Sequence, residues 1–153
     1  MPNILKIKKK INKFNKKITV SGDKSLSIRW VLFASIANGK SKAKNLLISE
    51  DVLAAINAIK KLGIKIKLKD AYCEIYGKGI NGYNFRKNIT INAKNSGTLG
   101  RLILGLLIDC NHPIKLIGDK SLSKRDFKRI SQPLSKFGAK FKLKKDKNLP
   151  LII

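Results

Sequence analysis

Two hydrophobic periods alternate along this chain. Residues 4–11 place apolar side chains between lysines, which predicts a half-exposed strand; 12–16 reads as a polar connection and 18–20 as a short strand. Leu26, Trp30, Phe33, Ala34 and Ala37 then recur at helical spacing, predicting a helix over 25–38 stopped at Asn38-Gly39. A short strand is expected at 43–47. Ser49 is suited to cap the next helix, Glu50 and Asp51 fall where acids complement the helix dipole, and Val52, Leu53, Ile56, Ile59 and Leu62 form its apolar stripe up to Gly63. Strict alternation over 64–69, a turn at Asp70-Ala71 and a return over 72–76 predict a hairpin.

The same order then recurs. A strand is expected at 89–91, an apolar helix at 96–109 (Leu99, Leu102, Ile103, Leu106, Leu107) and a strand at 114–117. A helix is expected over 124–137, kinked or split by Pro133 and stopped at Gly138, then strands at 139–143 and 149–153. The offset is 71 residues between Ile18 and Ile89 and 75 between Gly63 and Gly138, so two β-α-β-α-β-β units are expected, with loops of unequal length. Parallel strands need right-handed crossover helices, and the lysine alternation in both hairpins leaves one sheet face wet. The apolar end at Leu151-Ile152-Ile153 reads as a chain cut within a larger protein.

One string stands out at a strand-to-helix break: Ser21-Gly22-Asp23-Lys24-Ser25-Leu26-Ser27-Ile28-Arg29. Free backbone N–H groups and the positive helix end favour an anion there; Lys24 and Arg29 add charge, and Ser25 and Ser27 add hydroxyls. It recurs as Gly118-Asp119-Lys120-Ser121-Leu122-Ser123-Lys124-Arg125, differing only at Ile28 against Lys124. A single copy reads better as a plain helix start with a solvated lysine and a capping serine; the pair reverses that preference and favours two seats for a phosphorylated or carboxylated small molecule.

Composition changes this picture little. The chain has 153 residues, 43% hydrophobic, with 34 Lys and Arg against 9 acids and a net charge of +25. Such charge raises nucleic acid or anionic substrates as partners. The excess is nearly all lysine, however, alongside heavy Ile and Asn usage, as an AT-rich coding bias would place on any tolerant surface. The arginines are only Arg29, Arg86, Arg101, Arg125 and Arg129. With 7% aromatics at core-like spacings and no RNA-binding string, a nucleic-acid module is the weaker reading. Cys73 and Cys110 have no metal or redox spacing and fit reduced thiols of a cytoplasmic protein; His112 is given no role. No signal peptide is recognised, and the apolar run 102–108 is too short to span a bilayer.

Four strings in order carry a resemblance: 21–29; Asn45-Leu46-Leu47 with Ser49-Glu50-Asp51; Asn95-Ser96-Gly97-Thr98 with Arg101; and 118–125. Together they resemble the N-terminal portion of the 3-phosphoshikimate 1-carboxyvinyltransferase (EPSP synthase) family, from about residue 5 to the end. The resemblance implies an α/β (α+β) inside-out barrel fold of repeated βαβαββ units. On that basis 1–15 holds a first strand of the other, absent domain, 16–85 the first unit and 86–153 the second, truncated before a third. It implies transfer of the enolpyruvyl group of phosphoenolpyruvate to the 5-hydroxyl of shikimate 3-phosphate, in the shikimate pathway of aromatic amino acid biosynthesis. The reaction passes through a tetrahedral intermediate and releases phosphate, with no metal or organic cofactor.

Carried over by position, Lys24 contacts both substrates, Ser25 and Arg29 bind shikimate 3-phosphate, Gly97 offers its N–H to phosphoenolpyruvate and Arg125 pairs with that anion. Asn95, Thr98, Asp51 and Arg101 position the loops, although Asn95 and Thr98 read equally as helix caps. No catalytic acid or base falls within this stretch; both belong to the missing C-terminal domain, so the chain alone is expected to be inactive. The chain departs from the family's Pro-Gly-Ser-Lys at Ser21 and Asp23, and it has Asp126 where Pro usually comes after Arg125. Asp23 is expected to weaken the anion seat if it points inward, and Asp126 to neutralise Arg125 in part. The related UDP-N-acetylglucosamine 1-carboxyvinyltransferase expects Lys-Asn where Lys24-Ser25 stands and a reactive loop Cys, while Cys110 closes a helix.

Overall fold

The computed structural model describes residues 6, 8, 10, 13 and 15–153. The apolar positions of the strand expected at 4–11 lie outside the described residues. The elements form a mixed α/β arrangement. Helices α1 (Lys24–Ile36) and α2 (Glu50–Lys61) go with strands β1 (Asn38–Ala43), β2 (Lys65–Lys69) and β3 (Tyr72–Lys78). Then come β4 (Ile89–Asn92), α3 (Gly97–Leu107), β5 (Ile114–Ile117), a 3-10 turn (Leu122–Lys124), α4 (Lys128–Ser135), β6 (Lys142–Lys144) and β7 (Asn148–Ile152).

Two sheets result. The first has the order β1-β3-β2, all antiparallel; the second has the order β4-β5-β7-β6, with β4 and β5 parallel across α3 and the rest antiparallel. In each, the last strand of the hairpin sits between its hairpin partner and the strand that precedes the intervening helix, so one pairing scheme serves both. The β2–β3 turn is closed by Asp70 at φ 51°, a left-handed conformation that Asp tolerates better than most residues. In β3, Cys73, Ile75 and Gly77 face the helices, while Tyr72, Glu74 and Tyr76 lie on the lysine-bearing face. Both tyrosine hydroxyls donate to the Glu74 carboxylate at 2.9 Å, holding that carboxyl below its ordinary range.

The helices meet over one continuous core to which both sheets contribute. Ile28, Val31 and Leu32 of α1, Val52, Ala55, Ile56 and Ile59 of α2, and Ile103, Leu104 and Leu107 of α3 are buried in it. Helix α2 keeps closely to its sequence signals. Ser49 Oγ accepts the Val52 N–H at 3.4 Å, and Leu62 then Gly63, at φ 85°, end it. Its stripe is as expected except that Leu53 stands at the boundary with solvent.

Four expectations need correction. Residues 18–20 form no strand, and Ile18 and Val20 are exposed; three residues cannot hold a strand without a neighbour to bond to. The strand placed at 43–47 is β1 instead, which starts earlier in the chain, at Asn38. Asn-Gly-Lys-Ser-Lys-Ala has no apolar alternation, so only its bonds to β3 define it. Gly77 makes room for this, since a Cβ there would lie 2.3 Å from the Ala37 carbonyl at the end of α1. Helix α1 buries Ser27, Ile28, Val31, Leu32, Ala34 and Ser35; of the expected stripe Ala34 is buried and Trp30 half-buried against the core, while Leu26 and Phe33 are exposed. Apolar residues run round most of that helix, so spacing alone does not choose the face. The helix expected at 124–137 is a 3-10 turn, an extended Arg125 and then α4; Pro133 lies inside α4 and does not split it.

Candidate functional site

The two copies of the repeated string build the same first turn. Asp23 Oδ1 accepts the Leu26 N–H at 2.7 Å, and Asp119 Oδ1 accepts the Leu122 N–H at 2.7 Å. The backbone carbonyls of Asp23 and Asp119 accept Ser27 and Ser123 N–H at 3.0 and 2.9 Å. Each aspartate is therefore the cap of its own turn, and its carboxylate takes a donor that an anion was expected to use.

At the first copy, Gly22 lies against the 45–47 segment. A Cβ on Gly22 would sit 2.2 Å from the Asn45 carbonyl oxygen and 2.8 Å from the Leu47 nitrogen, so only glycine fits. Asn45 Nδ2 donates to the Val20 carbonyl at 3.0 Å. Ser27 is buried, and its Oγ accepts the Leu47 N–H at 3.1 Å; the hydroxyl expected in the anion seat is spent inside the fold. The Lys24 ammonium is 3.2 Å from Asp51 Oδ2, joining the starts of α1 and α2. It is the one ion pair within 4.0 Å among the described residues. Ser25 is half-buried and Arg29 exposed beside them on α1.

The second copy packs on the start of α3. Ser96 is buried and its Oγ caps Leu99 N–H at 3.2 Å. A Cβ built on Gly97 would lie 2.8 Å from Arg125 Nη1 and 3.0 Å from Arg101 Nη1, so two guanidinium groups rest on this glycine. Arg101 comes from the next turn of α3, and its guanidinium carbon lies 5.7 Å from the centre of the buried Phe127 ring. Asn95 Nδ2 donates to Asp119 Oδ2 at 2.6 Å, and the Asp119 N–H donates to the Lys94 carbonyl at 2.8 Å. The Asn95 amide first, then the Leu122 N–H and more distantly Arg125 hold the Asp119 carboxyl below its ordinary range. Asp126 Oδ1 accepts the Lys128 N–H at 2.7 Å, so it starts α4 and forms no ion pair with Arg125. An open hollow of about 610 Å³ lies alongside, lined by Asp119, Lys120, Ser121, Lys124 and Arg125.

The structure thus brings Gly97, Arg101 and Arg125 into contact, with Asn95 bonded behind them through Asp119. Thr98 is half-buried in the first turn of α3. Lys24 and Asp51 form a separate pair, and no hydrogen bond or ion pair among the described residues joins Arg29 to either group. Phe127, not among the residues singled out by the sequence, supports Arg101 and packs under Gly100, where a Cβ would be 3.4 Å from the ring. A larger hollow of about 690 Å³, lined in part by Ile36, Phe85, Leu106, Cys110 and His112, lies at the opposite end of α1 and α3. Burial raises the Cys110 thiol, which stands an α3 length from Gly97 and takes no part in the seat. Among the described residues no group of three or more His, Cys, Asp or Glu is placed to hold a metal ion, and no helix is long and apolar enough to cross a membrane.

Comparison with known proteins agrees on one family. The family model for EPSP synthase (3-phosphoshikimate 1-carboxyvinyltransferase) matches residues 8–153. The 3-phosphoshikimate 1-carboxyvinyltransferase of Sulfurihydrogenibium sp. (strain YO3AOP1) is 40% identical over 141 residues, covering 92% of this chain and 32% of that protein. That of Streptococcus pyogenes serotype M1 is 44% identical over 133 residues, covering 87% and 31%. The solved EPSP synthase from Acinetobacter baumannii superposes with a TM-score of 0.84 at 35% identity, over 90% of this chain and 32% of that one. The chain spans about a third of the length of the relatives it matches, and over that third the sequence and the fold agree: it belongs to the EPSP synthase family.

Proposed function

We propose that this chain carries the substrate-binding part of an enolpyruvyl transferase acting on phosphoenolpyruvate and shikimate 3-phosphate. In this reading 16–85 and 86–153 are two βαβαββ units of an inside-out barrel domain, and 1–15 belongs with the second domain. The observation that supports it most is the pair of guanidinium groups against Gly97 at the mouth of α3. A helix start with no Cβ and two fixed cations suits an anion that carries both phosphate and carboxylate.

Arg125 and the Gly97 N–H would hold phosphoenolpyruvate, with Arg101 beside them. Lys24 would leave Asp51 to reach both substrates, and Ser25 and Arg29 would grip the 3-phosphate of the acceptor. Asn95 and Thr98 would set the loop. Clustered cations offset the repulsion between two multiply charged substrates and hold the 5-hydroxyl in line with the enolpyruvyl carbon. The proton transfers of addition and phosphate release fall to groups outside these 153 residues. Steady-state phosphate release with both substrates is therefore expected to be nil for the chain alone, and turnover would refute that division of labour. Calorimetric titration should show tighter binding of shikimate 3-phosphate than of shikimate, and Arg29→Ala should remove the preference. Equal binding by the unaltered chain would sink the assignment.

A further inference from the structure

We infer that Asn148 is the residue that positions Arg125 for anion binding, acting through the backbone of the loop and not by touching the ligand; this rests on the anion-seat reading above. Arg125 sits between a 3-10 turn and α4 with extended backbone (φ −74°, ψ 152°), so helix geometry gives no partner to the carbonyls on its side. Asn148, the half-buried first residue of β7, fills that gap. Its Nδ2 donates to the Lys124 carbonyl at 3.1 Å and to the Arg125 carbonyl at 3.2 Å. An amide group has two N–H bonds, enough to serve both carbonyls. The reverse orientation would set its oxygen against two other oxygens, so the chemistry fixes the rotamer.

The neighbouring residue of the hairpin grips the other end of the same loop. The Lys147 carbonyl accepts the Phe127 N–H at 2.8 Å, and the Phe127 ring carries Arg101. Both guanidiniums on Gly97 therefore depend on a segment held at three points by Lys147 and Asn148. A long arginine on an unheld loop must give up more motion to grip an anion than one whose backbone is already fixed. Asn148 approaches the anion seat from the hairpin after α4, and no motif of the sequence points to it.

The test is phosphate titration of the whole chain, monitored at the Gly97 amide resonance, with Asn148→Ala, Asn148→Asp and Arg125→Ala. Asn148→Ala should weaken phosphate by about tenfold, a factor worth about 1.4 kcal/mol. Asn148→Asp should weaken it at least as much, since a carboxylate would face two carbonyls. In an Arg125→Ala background Asn148→Ala should cost nothing further, because its effect passes through that arginine. Unchanged affinity in Asn148→Ala, or an equal loss with and without Arg125, overturns the inference. The order of the Arg125 Nε–H bond, measured without ligand, should fall in Asn148→Ala while that of Arg129 stays put. If the unaltered chain binds no phosphate but Arg125 loses order, the positioning stands and the anion seat falls; if Arg125 keeps its order, the positioning falls.

Discussion

Residues 22–29 and 118–125 differ at one position in eight, yet they bury opposite faces. In the first copy Ile28 is fully buried and Leu26 is 63% exposed; in the second Leu122 is fully buried and Lys124 exposed. The capped first turn is common to both, so the string encodes a turn and not a helix. The residues downstream of each copy decide whether a helix continues. Ile28, Val31, Leu32 and Ser35 lie at helical spacing, and α1 runs on for 13 residues along the core. After Leu122 the next buried large side chain is Phe127, about 140° round a helix of 3.6 residues per turn. Between them the chain leaves the helical path, with Arg125 extended at φ −74°, ψ 152°. The break falls at Arg125 and releases it to reach Gly97, while Arg29, at the matching position, stays on a helix surface.

The sharpest way to break this comparison is to exchange the one differing residue. Ile28→Lys puts an unpaired ammonium in the core and should cost at least about 3 kcal/mol, enough to shift the urea midpoint far down or to unfold the chain. Lys124→Ile, the mirror change, should stay within about 0.5 kcal/mol, because it lies on the solvent side. Similar losses at both sites would show that the two copies share a buried face after all. Next in size is the glycine before each cap. Gly22→Ala drives a Cβ into the Asn45 carbonyl at 2.2 Å, a backbone atom held by neighbours, and should cost about 2–3 kcal/mol. At Gly118 the nearest atoms are the Leu122 Cδ2 at 2.7 Å and its Cβ and Cγ at 3.0 Å, a buried side chain and not backbone, so Gly118→Ala should cost less, about 1–2 kcal/mol. Equal urea midpoints for the two variants would contradict the tighter approach at Gly22.

How far the sequence discloses this depends on whether a decision is local. Helix α2 is legible because its cap, its acids, its stripe and Gly63 are all its own. Strand β1 is not, since nothing in Asn-Gly-Lys-Ser-Lys-Ala asks for a strand until β3 offers bonds. The buried face of α1 is not legible either, because a helix apolar nearly all round leaves the choice to its neighbours. The site strings are readable as strings, but only the family resemblance links Gly97 with Arg125 before the fold is known. That Arg101 meets Arg125 over Gly97 and rests on Phe127, and that Asp23 and Asp119 serve as caps, needs the third dimension: the first depends on contacts between segments distant in sequence, the second on a choice between two uses of one carboxylate.

The smallest expected effect concerns the second cap and is read through pH. The Asp119 carboxyl is held below its ordinary range, chiefly by the Asn95 amide and the Leu122 N–H. The unfolded chain, with the ordinary carboxyl value of about 3.9, takes up this proton first as pH falls. Stability from Asp119 is therefore complete above that value and is lost as pH drops through the lower folded one. Asp119→Asn keeps an oxygen for the Leu122 N–H but cannot ionise and offers Asn95 no second acceptor. Its urea midpoint should be below that of the unaltered chain near neutrality, and the gap should narrow on acidification. A gap that stays constant or widens below about pH 4 would mean that the charge of Asp119 adds nothing to its cap. The second copy would then differ from the first only in what it buries.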